Sequence, residues 1–181
     1  MHVKWLICCV IYATIISQAF GAKLIMLKKM QCVVKSKVLA RVECIKDNDT
    51  AISFHLTTIN EIASFYGISN LYIYVNAIKN VLQFKGYRIE LCKPSADRHQ
   101  PQFLSLINTG RRVATTNFTQ KCPFLGNTTY VMDHMQFDAK FAPSYLPEYN
   151  FTYLGQFFVN RVHTAEVQVT GSVCNIGNDC R

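Results

Sequence analysis

An all-β sandwich of two sheets, with about seven or eight short antiparallel strands and one short helix, is what the sequence predicts. Three observations carry that expectation. The last third of the chain alternates apolar and polar residues at period two. Turn-forming groups, Asp47-Asn48-Asp49, Lys85-Gly86 and Asn160-Arg161, separate the alternating runs. Helix-period spacing is scarce, while β-branched and aromatic residues are plentiful.

Each element has its own warrant. Over residues 37–46, Val38, Ala40, Val42 and Cys44 share one face, with Arg41 and Glu43 on the other. After the Asp47-Asn48-Asp49 turn, residues 51–58 read as the return strand, with Ile52, Phe54 and Leu56 together. Residues 71–84 read as a longer strand or a strand pair. Lys85-Gly86 then suits a turn into a strand over 87–92. Residues 101–114 break the pattern: Phe103, Leu106, Ile107 and Ala114 fall near one helical face, and Pro101 suits a first turn, so this is the predicted helix. A strand follows over 128–138, and Pro143 and Pro147 mark an extended crossover. Over 149–160, Tyr149, Phe151, Tyr153, Phe157 and Val159 point one way. Over 164–173, Ala165, Val167, Val169 and Val173 point in, and Thr164, Glu166, Gln168 and Thr170 point out. Asn160-Arg161 joins these two runs as a terminal hairpin.

The first residues read as a processing segment. Residues 5–16 are almost wholly apolar, but a run of that length falls short of the ~20 residues that span a bilayer. Small residues at Ala19 and Gly21 suit cleavage after Gly21, and Ser17 and Ala19 offer a second site. Residues 1–21 are therefore expected to be a secretory signal, leaving 22–181 as one domain in an extracellular setting.

Cysteine usage fits that compartment. Beyond the signal stand Cys32, Cys44, Cys92, Cys122, Cys174 and Cys180, an even set that reads as disulfides. Six cysteines allow fifteen pairings. The expectation adopted is local pairing: Cys32–Cys44, Cys92–Cys122 and Cys174–Cys180. No Cys-x-x-Cys occurs among them, and no histidine sits at finger spacing, so a zinc site is not expected. Four Asn-x-Ser/Thr sequons, at Asn48, Asn117, Asn127 and Asn150, are candidate glycan acceptors that would have to face solvent.

The formal net charge is +8, and basic residues crowd the early part of the chain: Lys23, Lys28, Lys29, Lys35, Lys37, Arg41 and Lys46. Such a run either attracts anionic lipid head groups or acidic glycans, or is a solvated face that aids solubility. No nucleic-acid recognition motif accompanies it. No catalytic motif stands out. His55, His99, His134 and His163 sit outside any metal motif, and there is no nucleophile elbow or phosphate-binding glycine loop. Asp133-His134 beside scattered serines carries no weight as a triad without geometry. The chain is expected to be neither an enzyme nor a cofactor binder.

The order of these marks suggests a family. Cys32 and Cys44 frame a first strand pair, and Glu90-Leu91-Cys92 ends a strand. Cys122-Pro123-Phe124-Leu125-Gly126 and Leu146-Pro147-Glu148-Tyr149 precede the two terminal strands. Over about Cys32 to Val173 this resembles a family of small secreted insect proteins of unknown function that includes the chemosensory CheB proteins. That family is held to be related to the ML lipid-recognition domains and the ganglioside activator protein. Departures are Glu90 where the family usually has Asp, a Leu-Pro segment one residue short, and the added Cys174 and Cys180.

The resemblance implies an immunoglobulin-like, ML-like sandwich whose sheets part to form an apolar cup. Two functions follow as expectations. The first is a secreted carrier or presenter of a lipid or hydrocarbon, chemosensory in some settings, with Phe54, Ile73, Val75, Leu82, Phe103, Ile107, Phe137, Phe151, Tyr153 and Phe157 lining the cup. The second is an extracellular interaction module with a filled core, using its basic glycosylated surface on a receptor or matrix partner. Large aromatic inward faces suit either a cup or a solid core.

Overall fold

The computed structural model describes residues 23–75, 81–92, 107, 110, 112–118, 121–139, 142, 146–176 and 180. The expected signal over 1–21 lies outside the described residues, as does Phe103. Nine strands are assigned: β1 (Lys23–Val34), β2 (Leu39–Lys46), β3 (Ala51–Thr58), β4 (Phe65–Val75), β5 (Val81–Glu90), β6 (Thr115–Thr116), β7 (Thr129–Gln136), β8 (Tyr149–Val159) and β9 (Val162–Asn175). They form a five-stranded sheet, β1-β9-β8-β4-β5, and a four-stranded sheet, β2-β3-β7-β6. Every pairing is antiparallel. The expected all-β sandwich is what the chain forms. Of the expected helix, Ile107, Gly110, Arg112 and Val113 are helical, and the rest of 101–106 lies outside the described residues.

Local sequence explains the best-formed piece. Asn160 and Arg161 both take positive φ, at 47° and 70°, between the paired ends Val159 and Val162. That is the two-residue turn whose twist matches a β-hairpin, and asparagine tolerates its first position. The turn is also held from outside, because Ser64 N–H donates to Asn160 Oδ1 at 3.1 Å.

Bulges account for most departures from the alternation. In β5, Phe84 pairs with Leu71 but Tyr87 pairs with Ser69, so the strand carries one extra residue at Lys85-Gly86. This pair is a bulge inside a strand and not a turn. Gly86 takes φ 76°, and its N–H donates to Asn70 Oδ1 at 3.0 Å. The 71–84 run, expected as one longer strand or a strand pair, is a pair, its two parts lying in β4 and β5. In β2, the register shifts between Leu39 and Arg41. Leu39 is therefore the buried residue and Ala40 is exposed, the reverse of simple alternation. In β9 the shift opposite Phe157/Phe158 makes Thr164 the extra residue. It is fully buried and donates to Phe157 O at 3.0 Å, so it does not point outward. β1, of which the sequence reading placed only Cys32 in a first strand pair, shifts at Leu27/Lys29: Ile25 and Leu27 face inward, then Met30 and Cys32 after the extra lysine.

Three disulfides follow the local pairing, Cys32–Cys44, Cys92–Cys122 and Cys174–Cys180. The first joins edge strand β1 of one sheet to edge strand β2 of the other. The second ties the end of β5 to the segment before β7. The third closes the tail onto β9.

The Cys122-Pro123-Phe124-Leu125-Gly126 mark has a packing reason. Phe124 is wholly buried and meets Tyr130 edge-to-face at 4.8 Å and Phe65 at 5.7 Å. Its backbone bridges Ile62, and Leu125 N–H donates to the Tyr130 hydroxyl at 2.7 Å. Gly126 lies so close to β3's exit that a Cβ would sit 3.1 Å from Asn60 and Glu61 backbone atoms. The Leu146-Pro147-Glu148 mark is pinned as well: Lys23 Nζ donates to Leu146 O, and Asn175 N–H donates to Glu148 Oε1 at 3.0 Å. Phe124→Ala is expected to cost about 3–5 kcal/mol in urea unfolding. The exposed Ile45→Ala should stay within about 0.5 kcal/mol. Similar midpoints for the two variants would show that the aromatic cluster does not hold this end of the sandwich.

Candidate functional site

The interior holds two core clusters. One gathers Ile25, Leu27, Ile52, Ile73, Tyr149, Val167, Val169 and Val173; the other gathers Leu39, Leu56, Ile62, Phe65, Phe124, Tyr130 and Val159. Phe54 and Phe157 pack against both, their rings stacked across the sheets at 5.9 Å. Between the sheets lies a cavity of about 180 Å³. That exceeds the ~150 Å³ of an engineered apolar cavity that stays dry and takes benzene.

The reason for the hollow can be read residue by residue. At the centre of the five-stranded sheet, β4 and β8 present inward Gly67, Ser69 and Gly155, with Gly155 directly opposite Ser69. The two glycines let the Tyr153 and Phe157 rings lie against their own sheet: a Cβ on Gly155 would stand 3.0 Å from the Tyr153 hydroxyl, and one on Gly67 3.5 Å from the Phe157 ring. Around them the wall is apolar: Val167, Val169 and Val173 from β9, Ile25, Leu27 and Met30 from β1, and Met132 and Met135 from β7. Methionine thioethers let such a wall adapt to different shapes. Among the described residues no charged side chain lines the cavity.

Of the residues expected to line a cup, Phe54, Ile107, Phe137, Phe151, Tyr153 and Phe157 are on the wall. Phe54, Phe151, Tyr153 and Phe157 face the space between the sheets, yet each is only partly buried. The surface they keep is the cavity wall. The remaining candidates are placed elsewhere. Ile73 is fully buried in the core, Val75 packs on that core, and neither reaches the cavity. Leu82 pairs with Ile73 at the β5 edge and is 41% exposed. Phe103 lies outside the described residues.

The sequence reading missed β1's contribution because the lysines and the bulge hide its alternation. It missed Ser69 because Phe65–Ser69 was not read as strand. The spacing Gly67-x-Ser69 facing Gly155-x-Phe157 was the available signal, small residues at inward positions of two central strands.

A pair of hydroxyls stands in the wall. Ser69 Oγ and Tyr153 Oη are 2.9 Å apart, and Ser69 is 1% exposed. Burial pushes the Tyr153 phenol above its ordinary value, and the bond from Ser69 offsets this only in part.

Two histidine clusters lie away from the cavity. His55 Nε2 is 2.6 Å from Asp133 Oδ1, with Glu43 Oε2 3.6 Å from Nδ1. His134 Nδ1 is 3.3 Å from Asp47 Oδ2, and Ser53 Oγ donates to that same oxygen at 2.7 Å. Asp133 and His134 therefore serve different partners. The serine turns to the carboxylate rather than to the imidazole, which is not the nucleophile–base arrangement.

Comparison with known proteins bears on part of the chain. Residues 69–153 match the profile of a family described as "Protein of unknown function (DUF1091)". The matched region runs from Ser69 in β4 to Tyr153 in β8 and includes the Cys92–Cys122 bridge. No curated protein matches the chain.

The folded state holds the Tyr153 proton to higher pH than the unfolded chain does. The stability tied to this group is thus full below about pH 10 and is lost as pH rises through the folded-state value. Tyr153→Phe should flatten that part of the alkaline fall in stability, and should leave the early tyrosinate absorbance unchanged in an ultraviolet titration. An identical alkaline slope in the variant would contradict the assignment.

Proposed function

We propose that the protein is a secreted, non-enzymatic carrier or presenter of a small apolar ligand, a lipid or hydrocarbon held between the two sheets. The apolar cavity of about 180 Å³ at the centre of the sandwich is the observation that carries this reading. Apolar pockets with few polar groups bind by burial of the ligand's surface, and fixed polar atoms set its orientation. A lipid-binding sandwich is also what the ML resemblance implies, and a chemosensory ligand is its extension.

Several features support the setting. Three disulfides suit an oxidising compartment. No helix among the described residues is long and apolar enough to cross a membrane. The four sequon residues, Asn48, Asn117, Asn127 and Asn150, are all exposed, as glycan acceptors must be. The basic run is less available to an anionic surface than its charge suggests. Lys35 pairs with Glu166 at 3.0 Å, Lys46 with Asp49 at 2.6 Å and Arg41 with Glu43 at 2.5 Å. This weighs towards the cavity and away from a receptor-binding basic face.

Native mass spectrometry of the secreted protein should show a bound apolar species released by solvent extraction. The emptied protein should then bind an apolar fluorophore such as N-phenylnaphthylamine. Val169 lies inward on β9 opposite Tyr153 and is 4% exposed. Val169→Phe fills the hollow and should weaken the fluorophore on the order of ten-fold or more. Unchanged affinity in a folded Val169→Phe protein would place binding elsewhere.

A further inference from the structure

The Ser69–Tyr153 pair has hydrogen-bonding capacity that the described residues leave unused. The two residues come from neighbouring central strands, 84 positions apart in sequence. Tyr153 pairs with Leu71 and Gly155 with Ser69, so the two side chains are diagonal neighbours on the inward face. The tyrosine ring reaches Ser69 by lying over Gly155, where a Cβ would stand 3.0 Å from its hydroxyl. Either hydroxyl can be the donor of the bond between them. Two hydroxyls carry two hydrogens and four lone pairs. Their mutual bond uses one hydrogen and one lone pair, and neither oxygen makes another hydrogen bond among the described residues. One O–H donor therefore remains, at the edge of an apolar space. Buried polar groups are ordinarily paired, and an unpaired one calls for a physical reason.

We propose that this hydroxyl pair is the recognition point for a single neutral oxygen on the ligand, which makes the cavity's ligand an alkyl chain bearing an alcohol, aldehyde, ketone or ester group. The inference rests on the cavity being the ligand site, and it narrows the ligand class. The remaining donor can bond a carbonyl or hydroxyl oxygen, and the free lone pairs can accept from an alcohol. A bare hydrocarbon would leave the donor unpaired. An ionised carboxylate would lose its hydration with no cation among the described wall residues to compensate. The raised Tyr153 value agrees, for the phenol stays protonated and able to donate.

Octane, octanol and octanoate, each displacing N-phenylnaphthylamine at neutral pH, separate the possibilities. Ser69→Ala/Tyr153→Phe removes both hydroxyls and keeps the shape, a change the fold should tolerate. In the double variant octanol should weaken on the order of ten-fold, while octane stays within about two-fold or binds more tightly. Octanoate should displace the fluorophore from the unaltered protein more weakly than octanol. Octanol and octane shifting together, or neither shifting, overturns the inference and leaves the cavity reading standing. Octanoate matching octanol overturns the restriction to a neutral oxygen. Failure of both octane and octanol to bind the unaltered protein overturns the cavity reading and the inference with it.

Discussion

The contact between Phe54 of β3 and Phe157 of β8 is the constraint on which the interior depends. It is an inter-sheet contact, with rings stacked at 5.9 Å, and both rings belong to both core clusters. On one side the space is closed by edge-to-face rings: Phe124 against Phe65, Tyr130 and Phe118. Such rings fill volume in fixed orientations, so this end behaves as a packed core. On the other side the central strands present Gly67, Ser69 and Gly155, and the Tyr153 and Phe157 rings lie against the two glycines. Sheets pack roughly 10 Å apart when side chains from both interdigitate. With small residues on one face, that spacing leaves a void.

Bulges decide what faces the void. Five of the strand pairings carry a register shift. Each adds a residue to one strand and re-aims the side chains beyond it. In β5 the extra residue at Lys85-Gly86 returns Ile89 to the inward face, where it lines the cavity. In β1 the extra lysine does the same for Met30. Without these shifts the strands would carry polar residues to the wall, because side chains alternate strictly along an unbroken strand.

The same bulges set how far the sequence could be read. Where a strand runs unbroken up to a strong turn, as β8 does before Asn160-Arg161, alternation placed Phe151, Tyr153 and Phe157 correctly on the inward face. Where a bulge intervenes, period two changes phase, so Ala40 and Thr164 were put on the wrong faces and the alternation of β1 was not seen. The local cysteine pairing was legible from proximity alone. The cavity was not, because it is a relation between distant strands. Nothing near Ser69 in the sequence shows that Gly155 lies opposite it. Large aromatic residues drew attention to the walls, whereas the hollow is made by the small ones.

A hollow of this size has an energetic consequence. Core cavities cost ~24 cal/mol per Å³ relative to a filled interior, which for a cavity of about 180 Å³ is roughly 4 kcal/mol. That is a large share of the ~5–15 kcal/mol that holds a domain folded. The cross-links lie where they can offset it without filling the space. Cys32–Cys44 and Cys92–Cys122 have sequence separations of 12 and 30, and loops of that length contribute about 3–4 kcal/mol each in the chain-entropy account. Both sit at edges or ends of the sheets, outside the cavity wall. A ligand in the void would regain the lost contacts and stabilise the folded form further by mass action. The disulfides thus offset what the hollow costs without occupying it.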